Sequence, residues 1–101
     1  MARGEPEHPE RDRIELTSVL HALSDPTRLT VVRQIAEDGR RMCGSFDVGV
    51  AKSTLSQHLR VLREAGVVRS EARGTQRWLT LRQSELDDLF PGLLDVVLRT
   101  G

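Results

Sequence analysis

The stretch KSTLSQHLRVLREAG, residues 52–66, constrains the fold more than any other part of the chain. Leu55, Leu59 and Leu62 recur at spacings of four and three, which puts them on one face of a helix. Ser53 is a residue type that caps helix N-termini, so the helix is predicted over 54–65. Gly66 follows at the position where helices stop in a left-handed backbone. Beyond it the texture changes to strand. Residues 67–71 read as a short strand, Arg73-Gly74 as a turn, and residues 76–81 as the returning strand. A hairpin over 67–81 is marginal alone and must pack on helices. Leu79 and Leu81 share the face expected to meet the core. Arg77 falls on that face too, so it must sit near the solvated tip or the strand must twist.

Upstream, IELTSVLHAL has helical spacing, with Ile14 or Leu16, Leu20 and Leu23 on one stripe, and predicts a helix over 11–23. Asp25-Pro26 is a sharper signal: a capping acid precedes a proline suited to the first helical position. A helix follows over 26–38, with Leu29, Val32 and Ile35 or Ala36 inward and Gly39 as its stop. RRMCGSFDVGVA, residues 40–51, holds two glycines and no sustained period. A short element is expected over 42–48, one helical turn or mostly loop, with Phe46 and Val48 as anchors. Ser84 is a candidate cap for a last helix over 85–98, with Leu86, Leu89, Leu93, Leu94 and Val97 on its apolar surface. Pro91 interrupts it and predicts a kink or a break near Phe90. Residues 1–10, with two prolines, a glycine and mixed charges, are expected to be a flexible tail. Residues 11–101 then make one mainly α domain.

The formal net charge of zero conceals an asymmetry. Residues 40–82 carry nine basic and three acidic side chains, against five and eight in residues 1–39 and one and four in residues 83–101. A basic middle between acidic ends offers a local positive surface to a polyanion. No run of eighteen apolar residues predicts a membrane span. MARGEPEHPERD lacks the apolar core of a signal peptide. A single cysteine, Cys43, excludes an intramolecular disulfide framework. A cytoplasmic protein without a membrane partner is expected.

A helix that is apolar on one side, small and polar on the other, fits a major groove with its N-terminal end towards the bases. Ser53, Thr54, Ser56 and Gln57 donate and accept hydrogen bonds there, and Gln57 suits adenine through its paired donor and acceptor. Lys52 at the helix start can reach a phosphate or a guanine edge. Arg60 and Arg63 are placed for backbone phosphates. Arg69, Arg73 and Arg77 give the hairpin a basic tip that suits a minor groove.

The segments LHALSDPTRLTVVRQIAE, KSTLSQHLRVLREAGVV and GTQRWLTL, in this order, resemble the ArsR-type (ArsR/SmtB-like) winged helix-turn-helix repressors. The resemblance spans about residues 16–81. It implies a mainly α fold with a small β-hairpin wing. The recognition helix would be the one ending at Ala65, and the wing residues 67–81. It further implies a homodimer on near-palindromic double-stranded operator DNA, released by an effector. The terminal helices, near 11–22 and 85–98, would form the dimer interface. Two recognition helices related by a twofold axis would read successive grooves.

Many members of that family sense metals, and the familiar ligand patterns are missing here. One uses two cysteines around one residue just before the recognition helix, where this chain has only Cys43. The other uses an acid and histidines on the last helix, which offers Glu85, Asp87, Asp88 and Asp95 but no histidine. His8, His21 and His58 make no spaced ligand set. No metal and no cofactor is expected, and the effector is an unidentified small molecule. Two alternatives stand beside this reading. One is a redox- or thiol-responsive repressor acting through Cys43, with Arg40 and Arg41 favouring the thiolate. The other is a winged-helix protein-interaction module without operator binding. No nucleotide loop or catalytic constellation points to an enzyme.

Overall fold

The strongest local signal forms as the sequence predicts. In the computed structural model, which describes residues 8–99, helix α2 runs Pro26–Asp38. Asp25 caps it: its Oδ1 accepts the Thr27 N–H at 2.8 Å and the Arg28 N–H at 3.1 Å. The Arg28 N–H contributes most to holding this carboxyl below its ordinary value. Pro26 occupies the first turn, and Gly39, with φ of 80°, ends the helix. The inward face is Arg28, Val31, Val32 and Ile35. Leu29 is only half-buried and Ala36 is exposed, so the stripe is rotated from the one expected.

The predicted helix over 11–23 is split. Residues Arg11–Arg13 form one 3-10 turn, and α1 runs only Leu16–Ala22. Ile14 leaves the helical path because its side chain is drawn into the core. It packs on Gly66, where an added Cβ would lie 2.6 Å from Ile14 Cγ1. Gly66 has φ of 89° and closes α3, Lys52–Ala65. The Gly66 N–H reaches the Arg63 carbonyl at 3.1 Å and the Val67 N–H reaches the Leu62 carbonyl at 3.0 Å. One glycine therefore serves twice, as a left-handed helix stop and as the floor beneath Ile14.

Helix α3 starts two residues before its predicted start. Ala51 is its N-cap, without a side-chain hydrogen bond, so Ser53 lies inside the first turn rather than capping it. Between α2 and α3 the chain forms β1, Arg41–Met42, a 3-10 turn at Cys43–Ser45, and then irregular backbone. Phe46 and Val48 are half-buried against the core, as anchors.

The hairpin consists of β2, Val68–Arg73, and β3, Gln76–Leu81. Arg73 pairs with Gln76, so the two-residue turn is Gly74-Thr75 and Arg73 ends the strand. Gly74 has φ of 63°, as tight hairpin turns require. Strand β1 adds antiparallel to β3, with Arg41 opposite Leu79 and Met42 opposite Trp78. The sheet thus has three strands in the order β1-β3-β2, one more than the sequence signals showed. The last helix is broken into α4, Gln83–Leu89, and α5, Leu93–Arg99. Pro91 has no N–H to continue a ladder, and Gly92 turns the chain at φ of 84°. Arg82, not Ser84, stands at the N-cap of α4.

The buried core draws on every helix: Val19 and Ala22, Val31, Val32 and Ile35, Leu59, Leu62 and Ala65, Leu86 and Leu94. Val67, Val68 and Leu79 join it from the wing. Burying each large aliphatic chain contributes roughly 1.5–3 kcal/mol, which is how the short strands are held to α3.

Candidate nucleic-acid interface

With Leu59, Leu62 and Ala65 buried, the opposite side of α3 faces outward. Lys52, Ser53, Thr54, Ser56, Gln57 and Arg60 are all exposed. Ser53, Gln57, Arg60 and Glu64 follow one another at spacings of four, three and four, so they form the line farthest from the core. Lys52 and Ser56 lie along one flank and Thr54 on the other.

Glu64 is the outward residue that sequence reasoning passed over. Its Oε2 accepts from Arg60 Nε at 2.9 Å. Both side chains are more than half exposed, so this pair stabilises little and Arg60 can exchange it for a phosphate. The spacing of four was the available signal.

Three of the four other basic candidates are held within the protein. Arg63 is half-buried, and its Nε is enclosed with no hydrogen bond. Arg69 reaches Glu85 at 3.3 Å at the base of the wing. Arg77 donates from Nη1 to the buried Ser70 hydroxyl at 3.3 Å. That is how an arginine on the core face of β3 is accommodated. Arg73, the last residue of β2, is exposed at the tip. The structure therefore places seven of the ten candidates outward, six on α3 and one on the wing tip.

Two buried arginines that the sequence did not single out hold this surface in place. Arg28 is only 9% exposed. Its Nε donates to the Ala22 carbonyl at 2.7 Å and its Nη2 to the His21 carbonyl at 3.2 Å, at the end of α1. Its Nη1 lies 3.1 Å from His58 Nδ1 on α3. Arg82 is 4% exposed and grips Glu85 with two hydrogen bonds, 2.8 and 2.9 Å. It also donates to the Pro9 carbonyl at 2.7 Å. His8 Nε2 accepts the Ser70 N–H at 2.9 Å. Residues 8–10 of the expected tail thus run beside the outer edge of β2, while residues 1–7 lie outside the described residues. The Arg82 hydrogen bonds lead the causes that bring the Glu85 carboxyl down from 4.5 to about 2.

Cys43 is half-buried in the 3-10 turn. Burial pushes its thiol up from the ordinary 9.0, outweighing the opposing pull of Arg77 and Arg63. Arg40 and Arg41 do not serve it as expected. Arg40 stacks over Trp78, 4.7 Å from the ring centroid, and Arg41 pairs with Asp38 at 3.1 Å and stacks on Phe46. Among the described residues no group of three or more His, Cys, Asp or Glu could hold a metal ion. No helix among them is long and apolar enough to cross a membrane.

Comparison with known proteins agrees with this geometry. A family model described as "Bacterial regulatory protein, arsR family" matches residues 25–70, from the cap of α2 into β2. YceK of Bacillus subtilis strain 168, an HTH-type transcriptional regulator, is 31% identical over 82 residues, covering 78% of this chain and 82% of that protein. The HTH-type transcriptional repressor SmtB of Mycobacterium tuberculosis H37Rv is 32% identical over 98 residues, covering 95% and 70%. The crystal structure of the transcriptional repressor BigR from Xylella fastidiosa superposes with a TM-score of 0.62 at 31% identity, covering 80% and 84%.

Proposed function

The chain belongs to the arsR family of bacterial regulatory proteins, and from that premise we propose that it is a homodimeric repressor that reads a near-palindromic double-stranded operator. One observation carries the reading. The outermost line of α3 is polar from Ser53 through Gln57 to the Arg60–Glu64 pair, and the wing springs from the same helix at Gly66 with Arg73 at its tip. Ser53, Ser56 and Gln57 would meet base edges, and Lys52, Arg60 and Arg73 phosphates.

A dimer is supported by apolar surface left open on the terminal helices. Leu16, Leu20 and Val96 are 44%, 46% and 56% exposed. Leu16 and Val96 line one apolar hollow with Phe90, Pro91, Gly92 and Leu93. A contiguous patch of this kind marks an interface rather than ordinary surface. A second copy covering it would leave both α3 helices free for DNA.

The effector is a small molecule that does not act as a metal at the two sites familiar in the family. Burial holds the Cys43 thiol in its protonated form, which speaks against the thiolate that a thiol switch would use. Fluorescence anisotropy of the full chain on duplexes from its own upstream region tests the function. Salt-sensitive binding with a preference over random duplex is expected. Binding at 1 µM dimer that showed no preference would instead favour a protein-interaction module.

A further inference from the structure

We propose that Arg28 and His58 are positioning residues that seat the recognition helix on the end of α1, and that they do so only while His58 is uncharged. The proposal rests on the DNA-reading role of α3. Arg28 contributes one guanidinium to three elements. It belongs to α2, it satisfies two carbonyls at the end of α1, and it meets His58 on α3. A guanidinium has donors only. His58 Nδ1 must therefore accept, and the imidazole carries its proton on Nε2.

His58 follows Gln57 directly and sits on the half-buried flank of α3. A shift of this contact moves the line that would meet the bases. The charged groups that face it are Arg28 of α2, by direct contact, and Asp25, the N-cap of that helix, through space, while the end of α1 presents the backbone carbonyl of His21 to the same guanidinium. One turn away on α3 its neighbours Thr54, Leu55, Val61 and Leu62 carry no charge. A proton on Nδ1 abolishes the acceptor and sets two cations at hydrogen-bond distance, an effect that Asp25 only partly offsets. The seat of α3 then loosens. Base reading, which needs a fixed helix, suffers before the sequence-independent phosphate contacts do. Because α1 also bears Leu16 and Leu20, the same guanidinium ties the reading helix to the proposed dimer surface.

The test measures operator and random-duplex affinity from about pH 8 to about pH 5.5. It compares the His8→Gln, His21→Gln chain with the same chain carrying His58→Gln or His58→Leu. With His58 present, preference for the operator should fall roughly tenfold or more on acidification. With His58→Gln, whose amide oxygen can still accept from Arg28, it should hold at every pH. With His58→Leu it should be lost throughout, while far-UV circular dichroism shows a folded chain. A parallel fall with and without His58→Gln overturns the proposal, as does full preference in His58→Leu. Should His58→Leu not fold, the first two proteins decide. Should no operator be bound even at about pH 8, the DNA-reading role fails on its own. Protection of the α3 amides from hydrogen exchange, without DNA, then decides the positioning claim. It should drop in acid with His58 and not with His58→Gln, and equal drops overturn it.

Discussion

Gln57 stands on the outermost line of α3, and its amide is exposed. Truncating it should leave the fold unchanged, because it contributes nothing to the core. In binding, Gln57→Ala is expected to relax discrimination at one base pair per half-site, at a cost of about 1–3 kcal/mol, measured by competition with single-base operator variants. Glu85 is the opposite case, a residue whose work is internal. Arg82, almost fully buried, has this carboxylate as its ion-pair partner. Glu85→Gln should lower stability by roughly 2–3 kcal/mol at neutral pH, read from urea midpoints. The sign with pH follows from the lowered carboxyl. Its contribution is complete above about pH 4.5 and is lost as pH falls towards about 2. The gap between wild type and Glu85→Gln should therefore close in acid. A gap that widened would refute the pairing as a source of stability.

Among the elements, the wing divides its three arginines by depth. Arg69 at the base is held by Glu85, Arg77 in the middle reaches Ser70, and Arg73 alone stands at the exposed tip. Arg73→Ala should weaken binding to operator and random duplex alike, and reduce the salt slope by about one. Arg69→Ala should act mainly on thermal stability. If Arg73→Ala changed neither affinity nor slope, the wing would not touch DNA. The elements also differ in how far they were legible. Asp25-Pro26 and Gly39 bounded α2 correctly because caps and stops are local hydrogen-bond and backbone effects. The start of α1 was not legible, because Ile14 abandons helical geometry for a pocket on Gly66, fifty-two residues away. Strand β1 was missed for the same kind of reason. Two residues carry no period, and only pairing with β3 makes Arg41–Met42 a strand.

At the scale of the molecule, open apolar surface and outward cations sit on different elements. The terminal helices α1 and α5 hold the exposed leucines and valine, while α3 and the wing tip hold the outward cations. A Leu20→Asp, Val96→Asp chain should sediment as a monomer and lose most operator affinity. Its melting temperature should stay near that of the isolated subunit, because neither residue is buried there. A dimer that survived both changes would place the interface elsewhere.

Local sequence is enough to set the order of the helices and the hairpin, the stops at Gly39, Gly66 and Pro91, and the polar face of α3. Each depends on contacts within a turn or two. Tertiary structure decided the fate of the arginines. In sequence, Arg28, Arg63, Arg69, Arg77 and Arg82 differ little from Arg60 and Arg73. In the fold, Arg28 ties two helix ends to His58, Arg82 clasps Glu85 and Pro9, and Arg69 and Arg77 turn to the wing's own support. A guanidinium on a long flexible stem takes whichever acceptors come within reach. Here two of those acceptors, His58 for Arg28 and Pro9 for Arg82, lie thirty and seventy-three residues away along the chain. Which arginines remain for DNA is settled only when those distant groups have met.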